Sequence, residues 1–303
     1  MSLRPSPIRV TLLCLCLALS QPATAPATMA QAPSFCQGKN TEPKKILNDK
    51  NFSFFTYSFK NKRSLNIYAL KAAAKRNILA IFIHGGGWLY GSADQFHDQM
   101  TYLGNHGISS IAIDYSTFCT NNGDPTIATA DVNTAVAFIM RHVVQIIGFD
   151  PRRIFMIGGS SGGQLALSVL ATNPWRSKID GLILYNPVID VDIPLTQHYF
   201  PHLSASLRSH LSPRKHMDSI HIPMLIFHGE KDSLIPITDI RQFCHSLLPH
   251  CKLTEFPNVG HGFFNKQPYK SDTQAAMQVF MEEQAAHAPL NTENCHFNMR
   301  IAE

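Results

Sequence analysis

Arg153-Ile154-Phe155-Met156-Ile157-Gly158-Gly159-Ser160-Ser161-Gly162-Gly163 is the stretch on which the fold turns, and Leu165-Ala166-Leu167-Ser168-Val169-Leu170 follows it at once. A short apolar run of this kind reads as a buried strand, and the segment after it has helical periodicity. The serine between them sits on a strand-to-helix turn so tight that side chains flanking it would clash, which is why glycines surround it. A hydroxyl held at such a tip is exposed for nucleophilic attack. The pattern alone also fits an inert glycine-rich turn, so the rest of the chain has to decide.

Three further segments have the same layout of strand followed by chemistry. Residues 78–83 open into His84-Gly85-Gly86-Gly87-Trp88, 224–227 into His228-Gly229-Glu230-Lys231-Asp232, and near the end stands Val259-Gly260-His261-Gly262-Phe263. Nucleophile, acid and base thus run in the order Ser160, Asp232, His261, which is the α/β-hydrolase order and differs from those of chymotrypsin and subtilisin. In these roles His261 takes the Ser160 proton and Asp232 orients the imidazole. Backbone N–H groups of Gly86, Gly87 and Ser161 are the expected oxyanion hole.

The His84–Trp88 motif together with Gly158–Gly163 resembles the HGGG-type, hormone-sensitive-lipase-like branch of the α/β-hydrolases, and is also similar to acetyl esterases and kynurenine formamidases. The likeness covers about 78–264. It implies a mostly parallel sheet with helices on both faces and a cofactor-free serine esterase acting on small or medium acyl esters. Where that branch often carries Asp and Ala around the nucleophile, this chain has Gly159 and Ser161. Ser161 therefore stands as a second candidate nucleophile, with the family register favouring Ser160. Glu230, Asp239, Asp190 and Asp192 compete with Asp232 for the acid, and the His-Gly-x-x-Asp spacing favours Asp232. His84 is expected to brace the oxyanion loop and Trp88 to pack.

Composition bounds the rest. The chain has 303 residues, 45% of them hydrophobic, enough for one α/β domain with a sizeable core. Arg4 and Arg9 precede an apolar run over 10–19 and then small residues, the pattern of a signal peptide over 1–32. Ten apolar residues are too few to span a bilayer, which takes about 20, so a cleaved leader and a secreted or periplasmic protein are expected. Removing 1–32 takes two arginines and no acids, so net charge falls from +5 to +3, as 24 basic minus 21 acidic residues. No basic run marks a nucleic-acid surface. No glycine-rich nucleotide motif and no paired metal-ligand motif is present, although His198 and His202 are one helical turn apart with His210, His216 and His221 beyond.

The expected domain is 33–288, followed by a tail over 289–303. Residues 51–59 and 64–70 alternate as an antiparallel hairpin turning near Asn61-Lys62, and the runs 78–83, 110–114, 154–157, 181–185, 224–227 and 253–256 read as parallel strands. Helical periodicity occupies 95–106, 128–147, 162–172, 238–248 and 271–286. The stretch 190–221, with Pro194, Pro201 and Pro213, is too long for an ordinary connection and is expected to be an irregular lid whose Leu195, Tyr199, Phe200 and Leu203 set acyl size. Five cysteines follow the leader: Cys36, Cys119, Cys244, Cys251 and Cys295. Cys244 with Cys251 would close a short loop and Cys36 with Cys295 would join the tails; the sequence leaves the pairing open. Two other functions stay open, an amidase or formamidase with the same triad and a noncatalytic binding protein on a hydrolase fold.

Overall fold

The computed structural model describes residues 34–39, 41–58, 64–72, 76–216 and 221–287. The expected leader, the hairpin turn at Asn61-Lys62, the tail and Cys295 lie outside the described residues. Eight strands form one sheet: β1 (Phe52–Ser58), β2 (Ser64–Leu70), β3 (Ile78–Ile83), β4 (Ser109–Ile113), β5 (Arg153–Gly159), β6 (Gly181–Tyr185), β7 (Met224–Gly229) and β8 (Cys251–Phe256). Their spatial order is β1-β2-β4-β3-β5-β6-β7-β8. Strand β2 runs antiparallel to both β1 and β4, and all other pairs are parallel.

The apolar runs are continuous because these strands are covered on both faces. Every residue of β3 through β7 is buried, and the core divides with period two along each strand. Leu79, Ile81 and Ile83 join one cluster, and Ile78, Ala80 and Phe82 join the other. The first cluster lies under α3 (Pro125–Ile147), α4 (Ser161–Thr172) and α7 (Ile237–Ser246). The second lies under α2 (His97–Asn105) and α8 (Tyr269–His287). A five-residue α1 (Lys44–Asn48) packs near the start of α2, which a 3₁₀ turn at Ala93–Phe96 precedes where the sequence suggests helix from 95.

Helix α3 is long and apolar enough to cross a membrane, a test that core helices also pass. Here Val132, Val136, Ile139, Val143 and Ile146 are buried along one face. Its start is capped by Asp124 Oδ1, which accepts from the N–H of Thr126 at 2.8 Å and of Ile127 at 2.9 Å, with Pro125 in the first turn where no N–H is needed.

The excursion expected to be irregular is partly helical. It contains α5 (Pro194–Tyr199), α6 (Ala205–Leu211) and a 3₁₀ turn at Pro213–Lys215. Prolines did not prevent this because Pro194 and Pro213 stand in the first turns of their helices. Two carboxylates hold the segment together. Asp190 accepts from Ser212 Oγ at 2.9 Å and Arg214 Nη1 at 3.2 Å, and Asp192 from Arg208 Nε at 2.6 Å and Gln197 at 3.1 Å. Phe200 is fully buried and Leu203 nearly so, within the main core, so these two are structural and do not line a pocket.

Among the described residues two disulfides are formed, Cys36–Cys119 and Cys244–Cys251. The second closes the short loop between α7 and β8. The first replaces the expected tail-to-tail pair of Cys36 with Cys295. Phe35 packs between the rings of Tyr90 and Tyr199, at 6.1 and 5.0 Å, which brings Cys36 against the loop after β4, where Cys119 N–H donates to Leu89 O.

Candidate active site

Strand β5 ends at Gly159 and α4 begins at Ser161, so Ser160 alone makes the turn between them. Its backbone has φ 52° and ψ −119°, a conformation that costs a non-glycine residue about 1–3 kcal/mol. The surroundings impose it. Ser160 N–H donates to Tyr185 O at 2.8 Å, and Ser160 O accepts from Gly163 N at 2.9 Å and Val188 N at 3.0 Å. A Cβ at Gly158 would stand 2.3 Å from Gly162 O, and one at Gly162 would stand 2.1 Å from Ile83 O, so β3, β5 and α4 approach this closely only through glycine.

The three expected triad residues meet here. Ser160 Oγ lies 2.9 Å from His261 Nε2, and His261 Nδ1 lies 2.7 Å from Asp232 Oδ2. Since a carboxylate only accepts, the imidazole proton is on Nδ1 and Nε2 faces the hydroxyl as an acceptor. Glu230 and Asp239 are not brought to the imidazole. Asp190 and Asp192 brace the excursion instead. Ser161 is fully buried with its hydroxyl turned away from His261, so the alternative register places no nucleophile beside a base.

Asp232 has a 0% exposed side chain and five polar neighbours. Its Oδ1 accepts from the N–H groups of Leu234 at 2.9 Å and Ile235 at 3.0 Å, its Oδ2 from Asn186 Nδ2 at 2.5 Å as well as from His261, and His228 Nε2 stands 3.6 Å away. Burial by itself would raise the carboxyl. The hydrogen bond and charge of His261, with the Ile235 N–H and the Asn186 amide, outweigh it and hold the group down to about 2. His228 Nε2 donates to Ile235 O at 2.9 Å, and burial lowers its affinity for a second proton.

The loop after β3 is the second half of the site. Gly86 has φ 122°, and a Cβ there would fall 1.9 Å from Tyr90 O. His84 is buried, and that burial lowers its imidazole to about 4, so it is neutral near pH 7 and its Nδ1–H donates to Gly85 O at 2.8 Å. It braces the loop and faces no substrate. Gln95 Oε1 accepts from Gly85 N–H at 2.6 Å, and Trp88 is buried with its indole N–H on Gln164 Oε1 at 3.2 Å. Gly87 departs from expectation, because its N–H points at Ser161 Oγ, 3.0 Å away. Ser161 is also hydrogen-bonded to Tyr115, whose hydroxyl donates to His84 O at 2.8 Å and whose ring stacks on His84 at 4.2 Å. The hydroxyl of Ser161 thus stitches the elbow to the oxyanion loop from beneath.

Asn186, Tyr115 and Gln95 support the triad and the loop, and none was singled out from sequence. Asn186 follows β6 directly, before Pro187, and has φ 44°. An Asn-Pro pair after a strand signals a turn and tolerance of that backbone; nothing local says that its amide meets a carboxylate 46 residues on. Leu195 on α5 reaches the loop, since a Cβ at Gly87 would lie 3.2 Å from Leu195 Cδ1.

Comparison with known proteins agrees with this geometry. The prolyl oligopeptidase family matches residues 127–288 and the BD-FAE family residues 65–188. Esterase LipQ of Mycobacterium tuberculosis is 27% identical over 222 residues, 63% of this chain and 52% of that protein. An acetylxylan esterase of Xylanibacter ruminicola is 23% identical over 204 residues, 60% of this chain and 40% of that one. The chain therefore spans about half or less of the length of these curated relatives. Among solved structures, apo esterase 2 of Thermogutta terrifontis superposes with a TM-score of 0.70 at 28% identity, covering 79% of this chain and 97% of that one. The same esterase is also known with propionate and with butyrate bound, and phosphorylated by paraoxon.

Proposed function

The chain belongs to the prolyl oligopeptidase family, within the α/β-hydrolases, and on that premise we propose that it hydrolyses carboxylic esters of short acyl chains through an acyl-enzyme on Ser160. The observation that carries this reading is the unbroken relay from Asp232 through His261 to Ser160, at 2.7 and 2.9 Å, on a strained elbow. A neutral hydroxyl is a weak nucleophile, so Ser160 must give up its proton to His261 Nε2 as it attacks the carbonyl carbon. Asp232, held ionised, keeps the proton of the imidazole on Nδ1 and stabilises the imidazolium that forms. Negative charge gathers on the carbonyl oxygen, where the N–H groups of Gly86 and Ser161 would receive it; such a donor contributes about 3–4 kcal/mol to the transition state. His261 then protonates the departing alcohol, and water repeats the sequence to release the acid.

Two observations favour short acyl groups: Leu195 Cδ1 stands 3.2 Å from where a Cβ on Gly87 would lie, and the Thermogutta esterase of similar fold is known with propionate and butyrate bound. The test is hydrolysis of p-nitrophenyl esters from acetate to decanoate by the purified chain and by Ser160→Ala. Losing the nucleophile should lower kcat by about 10⁵–10⁶-fold, and paraoxon should label Ser160. Turnover of anilides in preference to esters would move the reading to an amidase, and absence of turnover with either, to a binding protein.

We further propose export. Support comes from the leader-like pattern over 1–32 and from two disulfides, which persist in oxidising compartments. Amino-terminal sequencing of protein recovered outside the cytosol should begin near residues 28–33, and an intact Met1 would remove the proposal.

A further inference from the structure

The two oxygens of Asp232 are held differently. Oδ1 takes the N–H groups of Leu234 at 2.9 Å and Ile235 at 3.0 Å, both from the loop that carries Asp232 itself. Oδ2 takes the imidazole of His261 at 2.7 Å and, at 2.5 Å, the side-chain amide of Asn186. Asn186 arrives from another strand end, directly after β6, whereas Asp232 follows β7 and His261 follows β8. A carboxylate only accepts, so Nδ2 is the amide atom that faces it. The oxygen that serves the base is thus shared with a neutral donor.

The fold alone does not call for this amide. The backbone at position 186 has φ 44°, which glycine adopts without strain, and its N–H bonds Phe227 O at 2.9 Å whatever the side chain. Asn186 is fully buried, and its Oδ1 has no hydrogen-bond partner. A buried amide half unpaired is a burden on stability, and its single polar contact is with the triad. That contact matters because the carboxylate must stay fixed and ionised while positive charge forms on the imidazole. A rival stands close by. His228 Nε2 is 3.6 Å from the same Oδ2, with its proton committed to Ile235 O at 2.9 Å.

We propose that Asn186 is a positioning residue for catalysis: its amide keeps Asp232 Oδ2 directed at His261 and makes that oxygen too weak a base to take the imidazole proton. This rests on the ester-hydrolase reading above. The titratable groups facing the carboxylate are His261 from the turn after β8 and His228 from β7, with Glu255 of β8 acting on His228 from farther away.

The test uses two variants that both suit the backbone. Asn186→Gly removes the donor and should lower kcat, per site titrated with paraoxon, by about 10–100-fold with KM little changed. Asn186→Asp keeps the shape. Protonated, its new carboxyl donates to Asp232 as the amide does; ionised, it opposes a like charge. Its kcat relative to the full chain should therefore be highest near about pH 5 and fall towards about pH 9. A residue present only for the turn predicts that both variants stay within about twofold of the full chain at every pH, and that result would overturn the proposal. Should Asn186→Gly fail to fold, the pH course of Asn186→Asp decides alone. If the full chain cleaves no ester, the ester-hydrolase reading has failed, and urea unfolding still tests the contact. A donor to ionised Asp232 stabilises the fold only while that carboxyl is charged, so the stability gap between the full chain and Asn186→Gly should narrow from pH 5 to pH 2. An equal gap at both values would overturn the assignment.

Discussion

Asp232 links the chemistry of the site to the stability of the fold. Its carboxyl is held down to about 2, below the value near 3.9 of an unfolded aspartate. A depressed acid stabilises the folded state above the unfolded value, and that contribution disappears as pH falls through the folded one. The window is therefore pH 4 down to 2, and its size is about 2 kcal/mol. Urea unfolding of the chain and of Asp232→Asn should show a stability difference that shrinks by this amount between pH 5 and pH 2; a constant difference would deny the linkage. The same variant should lose about 10⁴-fold in kcat because an amide can hold the imidazole in the wrong tautomer. Ser161→Ala is the matching probe of the oxyanion loop. It removes the buried acceptor of Gly87 N–H and should cost about 1–2 kcal/mol of stability while paraoxon continues to label Ser160. If labelling vanishes with Ser161, the nucleophile has been misassigned. Ser160, Asp232 and His261 were legible because strand-end motifs announce them. Asn186 and Tyr115 were not, since their partners are 46 and 31 residues distant and arise only when strands come together.

The elements separate residues that shape a pocket from those that hold it up. Leu195 touches the oxyanion loop, whereas Phe200 and Leu203 lie in the core. Leu195→Ala should raise kcat/KM for hexanoate relative to acetate with little change in Tm. Phe200→Ala should instead lose about 3–5 kcal/mol of stability by leaving a cavity, with the acyl-length ratio intact. Calorimetry and the ester series together check both; a selective shift in Phe200→Ala would return that residue to the pocket. All eight strands were readable, β1 and β2 from alternation and the other six from apolar runs, which two-faced burial leaves plainest in β3 through β7. The helices of the excursion were not. Their apolar residues are few and interrupted by proline, and what fixes α5 and α6 is a pair of carboxylates reaching across the segment, which periodicity does not detect.

At the scale of the whole molecule, the two disulfides differ in what they enclose. Cys36–Cys119 spans 83 residues and Cys244–Cys251 spans 7. In the chain-entropy account the long loop stabilises by about 4–5 kcal/mol and the short one by about 2. Cys36→Ser with Cys119→Ser should accordingly lower Tm more than Cys244→Ser with Cys251→Ser, and the reverse order would show that strain outweighs loop closure. Sheet order carries a consequence for how the chain is made. Strand β3 lies between β4 and β5, yet β5 is synthesised about forty residues after β4 ends. A nascent chain that has emerged only as far as Cys119 has both partners of its long disulfide, but its central strand still presents an open edge. Closing the bond at that moment would staple an unfinished sheet. Folding is therefore most direct where the bond closes only after β5 has paired with β3.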